Sequence, residues 1–234
     1  MEQNSSIAEN IGRVRERISR AAGRAARPPD EITLVAVSKT FSAAAIRAAY
    51  EAGLRLFAEN RVQEFEAKQR QLMDLDAAWH FIGHLQSNKA RRAAHLFDRV
   101  DSVDAPGLAQ KLDSAAAEQG ERLEVLIEVH VGGEASKSGV AEKDLPALAE
   151  SVESLSHLQF LGLMAIPPYF EDQERARPYF LRLRELHAET ARRIGRALPV
   201  LSMGMSHDFE VAIEEGATEI RVGTAIFGER PANV

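Results

Sequence analysis

The sequence predicts an α/β fold, namely a single (β/α)8 TIM barrel with an extra N-terminal helix. Apolar runs typical of strands recur roughly every 20–35 residues, and helical periodicity fills most of the gaps between them. Such strand–helix alternation indicates parallel strands joined by right-handed crossovers. Eight units of this kind form a closed barrel, in which a helix ahead of the first strand can fill the place after the last one.

The leading helix is amphipathic, because Ile7, Ile11, Val14 and Ile18 fall on one stripe and the arginines lie mostly elsewhere. Residues 27–30, Arg-Pro-Pro-Asp, end it. The predicted strands are residues 32–38, 54–57, 78–83, 98–103, 123–131, 158–166, 198–203 and 218–222. The predicted helices between them are residues 42–52, 60–73, 86–95, 105–119, 141–155, 172–196 and 207–215.

A doubly wound open sheet is the alternative fold, and it is disfavoured because no GxGxxG motif opens the first strand–helix turn. No linker or low-complexity stretch divides the chain, so residues 1–234 are expected to form one domain. No apolar run reaches the ~20 residues that span a bilayer. The N-terminal region is rich in arginine and lacks the apolar stretch of a secretion signal.

Composition indicates a cytoplasmic protein that binds neither membrane nor nucleic acid. The 234 residues include no cysteine, which excludes disulfides and thiolate metal sites. The net charge of −6 disfavours a general nucleic-acid binder. We expect the chain to be a monomer.

The C-terminal ends of the strands are where a barrel carries its chemistry. Lys39 closes the first apolar run and offers an amine that can attack a carbonyl. Taken by itself, Lys39 also fits a lysine that reaches solvent or joins an ion pair.

Two loops form a predicted phosphate cradle, residues 202–206 and 221–228. Ser206 is expected to cap a helix beginning near His207, whose free N–H groups can bind an anion. Gly223, beside Thr224, permits close approach of the backbone. Taken separately, Ser206 fits an ordinary helix cap and Gly223 an ordinary turn glycine. Together, at the ends of adjacent strands, they favour a phosphate-binding site. The first and last strands are neighbours in a barrel, so an amine and a phosphate site meet. Pyridoxal 5′-phosphate (PLP), an aldehyde with a phosphate group, needs both.

A metal-dependent hydrolase is a further hypothesis. His80 and His84 are expected to share one face of a strand. A barrel hydrolase needs additional ligands at other strand ends, and the candidates Asp104, His130 and Asp208 follow no recognisable spacing. The sequence therefore predicts no metal site.

Seven segments resemble the signatures of the pyridoxal phosphate homeostasis protein family, whose barrel is also described as the alanine racemase N-terminal domain. They are residues 37–40, 57–64, 79–89, 133–139, 162–167, 201–208 and 221–228. The resemblance extends from about Val14 to Arg230. Ala58 stands where a glycine is common, and residues 130–132 replace a more usual asparagine-containing run.

This resemblance implies a fold-type-III PLP protein. Lys39 would form the Schiff base with PLP, and Ser206, Gly223 and Thr224 would hold its phosphate. Arg221 would face the pyridine nitrogen, and Asn60 belongs to the expected cofactor-binding set. An arginine does not give up its proton, so it keeps the ring nitrogen unprotonated, which limits carbanion chemistry. Lys89 and Lys137 are the rival lysines.

Fold-type-III racemases append a further domain that supplies a second catalytic residue, whereas this sequence ends just beyond the eighth predicted strand. The resemblance therefore implies a protein that carries and buffers PLP and maintains vitamin B6 and amino-acid homeostasis, rather than an enzyme with strong activity. Its expected partners are PLP and PLP-dependent client enzymes. A PLP-dependent amino-acid racemase with weak or narrow activity is the alternative.

Overall fold

Eight parallel strands close into a barrel in the computed structural model, which describes residues 6–132 and 138–229. Neighbouring strands pair in the order β4-β3-β2-β1-β9-β8-β7-β5, and the pairing of β4 with β5 closes the ring. A short strand, β6, pairs with the end of β5. The strands are β1 (Thr33–Val37), β2 (Leu56–Glu59), β3 (Ala78–Phe81), β4 (Arg99–Val103), β5 (Leu123–His130), β6 (Val140–Ala141), β7 (Leu158–Met164), β8 (Val200–Met205) and β9 (Glu219–Val222).

Helices surround the barrel and include short 3-10 turns at Pro29–Glu31, Ser87–Lys89 and Gln173–Ala176. The α-helices of the described residues are α1 (Ile7–Arg24), α2 (Ala43–Glu51), α3 (Val62–Gln69), α4 (Ala90–Leu96), α5 (Pro106–Gln119), α6 (Leu145–Glu153), α7 (Arg177–Ile194), α8 (Phe209–Glu214) and α9 (Thr224–Phe227). None of the helices in this part of the chain is long and apolar enough to cross a bilayer. The predicted (β/α)8 barrel is confirmed.

The leading helix begins at a capping box, in which Ser6 and Glu9 bond each other's backbone N–H groups. Its apolar stripe, including Ile11, Val14 and Ile18, is buried. This stripe packs α1 against α2, α8 and α9, so α1 covers the junction of the first and last strands. The expectation that α1 fills this place is confirmed.

The apolar core lies mainly between the strands and the surrounding helices. Phe57, Phe65, Trp79 and Phe97 form a run of aromatic contacts with ring centroids 4.7–5.3 Å apart. A smaller apolar cluster lies separately, formed by Val35, Val37, Ala58 and Ile82. Along β1, Val35 and Val37 belong to the smaller cluster and Ala36 between them belongs to the main core, because successive side chains of a strand point to opposite faces.

Several boundaries differ from the prediction. β8 continues to Met205 instead of ending at Met203, because the strand passes through an irregularity in its pairing with β9, where Gly204 has φ of 91°. A Cβ on Gly204 would lie 2.6 Å from the Cβ of Ala212, so the bulge also allows α8 to approach. β1 ends at Val37, which leaves Lys39 in the following turn.

Candidate functional site

Lys39 lies in a tight turn immediately after β1. The N–H of Phe41 donates to the carbonyl oxygen of Ser38 at 3.1 Å, which closes the turn around Lys39. Thr40 has φ of 70°, a left-handed conformation that is uncommon for a β-branched residue. Its N–H donates to Oε1 of Glu64 at 2.6 Å. Contacts from α3 therefore stabilise a backbone conformation that costs energy at this position.

Lys68 of α3 lies behind this turn. Its ammonium donates to the carbonyl oxygens of Ser38 and Phe41, at 3.2 and 3.1 Å, and so holds both ends of the turn. Nζ also lies 2.7 Å from Oε1 of Glu59 and 3.1 Å from Oε1 of Glu64. Burial raises the pKa of Glu59, and the charge of Lys68 opposes that shift. Sequence reasoning missed this network, since a lysine in a helix usually lies in solvent.

The predicted phosphate cradle brings two loops together through Ser206. Its Oγ accepts hydrogen bonds from the N–H groups of Gly223 and Ala225, at 3.1 and 3.3 Å. The predicted cap near His207 is wrong. α8 begins at Phe209, and the carboxylate of Asp208 accepts from the N–H of Met205 at 2.7 Å. Ser206 therefore links the two loops of the cradle instead of capping α8.

Strand register aligns the cradle with Lys39. Ala36 of β1 pairs with Val222 of β9, so Gly223 lies level with the end of β1. A Cβ on Gly223 would lie 3.3 Å from the carbonyl oxygen of Val37, which agrees with the close approach expected of this glycine. Ala58 of β2 pairs with Val37 from the other side. Asn60 therefore follows β2 at the level of Lys39.

A buried polar chain lies behind the cradle and ends at Arg221. Nη1 of Arg221 donates to Oγ of Ser202 at 2.6 Å, and Nη2 donates to the carbonyl oxygen of Ala165 at 2.9 Å. The hydroxyl of Ser202 in turn donates to Oε1 of Glu219 at 2.7 Å. Because that hydroxyl has one hydrogen, the direction of both bonds is fixed, from Arg221 through Ser202 to Glu219.

Arg99 completes this chain across the barrel. Its Nη2 lies 2.6 Å from both carboxylate oxygens of Glu219, and its Nε lies 2.6 Å from Oδ1 of Asp101. β4 and β9 are not neighbouring strands, so these contacts cross the barrel interior. Burial lowers the pKa of Arg221, while Glu219 and Asp101 oppose that shift. An arginine keeps its proton in proteins, and Glu219 and Asp101 balance the charge of this buried guanidinium.

The two histidines of the metal hypothesis lie in different surroundings. β3 ends at Phe81, so His84 lies beyond the strand, where its side chain is 62% exposed and Nδ1 is 3.6 Å from Asp104. His80 is buried, and its ligand atom lies within 4.8 Å of those of Asp101 and Glu219. Arg99 already pairs with both of these acids. The expectation that the two histidines share a face is wrong, because the strand ends between them.

Glu128, at the end of β5, is a buried acid that sequence reasoning also missed. The hydroxyl of Ser138 donates to its Oε1 at 2.9 Å. Burial raises the pKa of Glu128, and Asp104 adds to the shift, whereas Arg221 and His84 oppose it. Glu128 is thus a buried acid near enough to Arg221 for their charges to interact.

The other predicted residues occupy the same region. Thr224 begins α9 and is exposed, while Asn60 is half-buried. The carbonyl oxygen of Asn60 would lie 2.2 Å from a Cβ on Gly83. Any side chain at position 83 would therefore displace the backbone of Asn60. Of the rival lysines, Lys89 ends a 3-10 turn and Lys137 lies outside the described residues.

Comparison of the sequence with family models and known proteins gives consistent matches over nearly its whole length. The model of the alanine racemase N-terminal domain matches residues 7–231. The pyridoxal phosphate homeostasis protein of Aquifex aeolicus is 49% identical over 222 residues, covering 95% of this chain and 97% of that protein. The protein of the same name from Pseudomonas aeruginosa is 50% identical over 226 residues, covering 97% and 96%.

Solved structures agree with these matches. PipY of Synechococcus elongatus, determined with PLP bound, is 42% identical and superposes with a TM-score of 0.83, covering 95% of this chain and all of that one. Alanine racemase of Corynebacterium glutamicum gives a TM-score of 0.71 at 18% identity. This chain covers 60% of that racemase, and at such low identity the match shows a shared fold alone.

Proposed function

Because the chain belongs to the family described by the alanine racemase N-terminal domain, we propose that it binds PLP and carries and buffers this cofactor in vitamin B6 and amino-acid homeostasis. The observation that carries the proposal is the register of β1 with β9, which aligns the turn of Lys39 with Gly223 and with the Ser206 hydroxyl bonded to it. An amine and a hydroxyl that can donate its hydrogen to a phosphate meet there.

The chemistry of these residues fits PLP. The hydroxyl of Ser206 and the backbone N–H of Thr224 are neutral donors suited to a phosphate. Lys39 would supply the amine that holds the aldehyde, and Arg221 would provide a buried guanidinium for the ring nitrogen. Asn60, level with Lys39 on the neighbouring strand, completes the proposed set. When bound, PLP supplies a reactive aldehyde and an electron-withdrawing ring.

The protein's own groups favour retention of the cofactor over turnover. Two hydrogen bonds hold the Arg221 guanidinium, and it cannot release a proton to the ring nitrogen. A ring nitrogen held by this guanidinium would stay unprotonated, which would make the ring a weak electron sink. Identity supports the same reading, since the homeostasis proteins are 49–50% identical to this chain and the racemase is 18% identical. We accordingly place racemase activity second.

Partners and location follow from this role. A carrier of PLP would deliver it to PLP-dependent client enzymes in the cytoplasm, and we propose that it does so as a monomer. Incubation of the loaded protein with an apo-enzyme that requires PLP tests delivery directly. Recovery of that enzyme's activity supports a carrier, and no recovery over hours would contradict one.

Covalent labelling tests the binding site. Borohydride reduction of the PLP-loaded protein should fix a pyridoxyl group on the peptide that contains Lys39. Lys39→Ala should lose the visible absorbance band of the lysine-bound cofactor while keeping its unfolding temperature, and Lys89→Ala is the matched control that should keep both. Label found mainly on Lys89 or Lys137 in the wild-type protein would overturn the assignment.

A further inference from the structure

The N-terminal helix contacts the phosphate cradle at two places. Asn10, Arg13 and Arg17 are spaced i, i+3 and i+7 along α1 and therefore share one face of it. This face lies beside the buried apolar stripe and packs toward α8, which follows the first loop of the cradle, and α9, which lies within the second.

Arg17 holds the first loop of the cradle. Its Nη2 donates to the carbonyl oxygen of Ser206 at 3.3 Å. Its Nε and Nη2 form a two-pronged pair with Glu210, at 2.6 and 2.8 Å, and its guanidinium lies 4.3 Å from the ring centroid of Phe209. The ion pair and the ring fix the position of the guanidinium, so its contact restrains the backbone of Ser206.

Asn10 holds the second loop. Its Nδ2 donates to the carbonyl oxygen of Ile226 at 2.8 Å, and its side chain is almost wholly buried. Arg13 donates to Oδ1 of Asn10, which fixes the orientation of the amide. Ile226 directly follows Ala225, whose N–H bonds Ser206. One helix therefore restrains both loops, and Ser206 joins them to each other.

We propose that Asn10 and Arg17 are positioning residues for the phosphate of the cofactor, an inference that rests on the proposed function. They touch no part of the ligand. They fix the position of Ser206 relative to Gly223 and Thr224, and a phosphate needs the Ser206 hydroxyl and the Thr224 N–H together, each at about 2.7–3.1 Å. Loosening either restraint weakens recognition of the phosphate without affecting attachment of the aldehyde to Lys39.

Arg24 provides a matched control on the same helix. It pairs with Glu214 of α8 at 2.6 Å, as Arg17 pairs with Glu210 of the same helix. It lies two turns further along, about 10 Å from Arg17 on the helix axis. Arg17→Met and Arg24→Met each remove one α1–α8 ion pair, but Arg17→Met alone also removes the contact with Ser206.

The experiment compares the dissociation constants of PLP and pyridoxal, which lacks the phosphate, for the wild-type protein and the two variants. Arg17→Met should raise the dissociation constant of PLP about tenfold and that of pyridoxal less than twofold. Arg24→Met should leave the ratio of the two dissociation constants as in the wild type. If Arg17→Met weakened the binding of both ligands equally, or of neither, the ratio would be unchanged. Arg17 would then have a merely structural role, and the inference would be overturned.

Asn10→Leu and Arg17→Lys extend the test to variants of closer shape. Asn10→Leu should lower the preference for PLP over pyridoxal in the same sense as Arg17→Met, and Arg17→Lys should retain part of it. If Arg17→Met fails to fold, the Asn10→Leu ratio decides the question by the same criterion. A wild-type protein that bound PLP no better than pyridoxal would overturn the proposed function and this inference with it. An unchanged ratio in the variants would overturn the inference alone.

Discussion

The ammonium of Lys68 lies 2.7 Å from the carboxylate of Glu59, with side chains only 9% and 0% exposed, directly behind the turn that carries Lys39. Lys68→Met leaves the Glu59 carboxylate buried without a cation. We expect it to lower the free energy of unfolding by about 3–5 kcal/mol, measured by urea denaturation. Arg193→Met, which breaks the exposed pair with Glu150, is the control and should change little.

A double variant measures the interaction between Glu59 and Lys68 separately from the contribution of each side chain. Glu59→Gln combined with Lys68→Met should cost less than the sum of the two single changes, because Glu59→Gln removes the buried charge that Lys68→Met leaves without a cation. Strictly additive costs would mean that the two groups do not interact as the distance indicates.

Ser206→Ala should weaken PLP more than pyridoxal. The hydroxyl both supplies a donor and bridges the N–H groups of Gly223 and Ala225, and a bond to a charged phosphate contributes about 1.5–3 kcal/mol. Ser114→Ala, at an exposed position of α5, serves as the control. Equal loss of affinity for both ligands would show that Ser206 acts only by joining the two loops.

The PLP-loaded protein should be a poor racemase. Arg221 is held by Ser202 and Ala165 and cannot protonate the ring nitrogen, so carbanion stabilisation is weak. Incubation with L-alanine in deuterated water, followed by NMR, measures exchange at the α-carbon and inversion separately. Inversion at ~1–10³ per second, the range of ordinary enzymes, would contradict the carrier role.

Stability should depend on pH through Glu128, whose pKa burial raises. The folded state then holds a proton that the unfolded state releases near pH ~4.3. Its contribution to stability is present below that pH and is lost as pH rises through the raised value. Glu128→Gln keeps an acceptor for Ser138 but cannot ionise, so its unfolding temperature relative to wild type should rise with pH.

Thermal unfolding from pH 4 to pH 8 measures this difference. His84, Asp104 and Arg221 act on Glu128 and remain in both proteins, so their own titration is largely subtracted. Glu121→Gln, at an exposed position, provides a reference whose difference from wild type should stay flat. A flat difference for Glu128→Gln as well would show that this carboxyl titrates normally.

The barrel and the position of Lys39 could be predicted because their signals are local. Apolar runs at regular spacing predict strands, and the ends of β1 and β9 follow from them. The continuation of β8 could not be predicted in the same way. A glycine such as Gly204 usually indicates the end of a strand. Here β8 continues through Gly204 as a bulge, which leaves room for Ala212 of α8.

The charged interior depends on partners distant in the sequence, so single segments do not reveal it. A signal was nevertheless present. Arg99 and Asp101 in β4, and Glu219 and Arg221 in β9, place opposite charges two residues apart on one strand face. Such alternation within buried strands indicates ion pairs pointing into a barrel. Lys68 shows in the sequence only its i,i+4 pairing with Glu64, because Glu59 and the carbonyl oxygens of Ser38 and Phe41 become its neighbours only in the folded barrel.

The pairing of β1 with β9 has a consequence for folding. Lys39 precedes α2 and Arg221 belongs to the last strand, so the proposed cofactor site is complete only when β1 and β9 have paired. Contacts so distant in sequence form late and at high entropic cost. A ligand that spans this seam therefore reports completion of the barrel, and by binding only the closed form it slows the reopening of the ring.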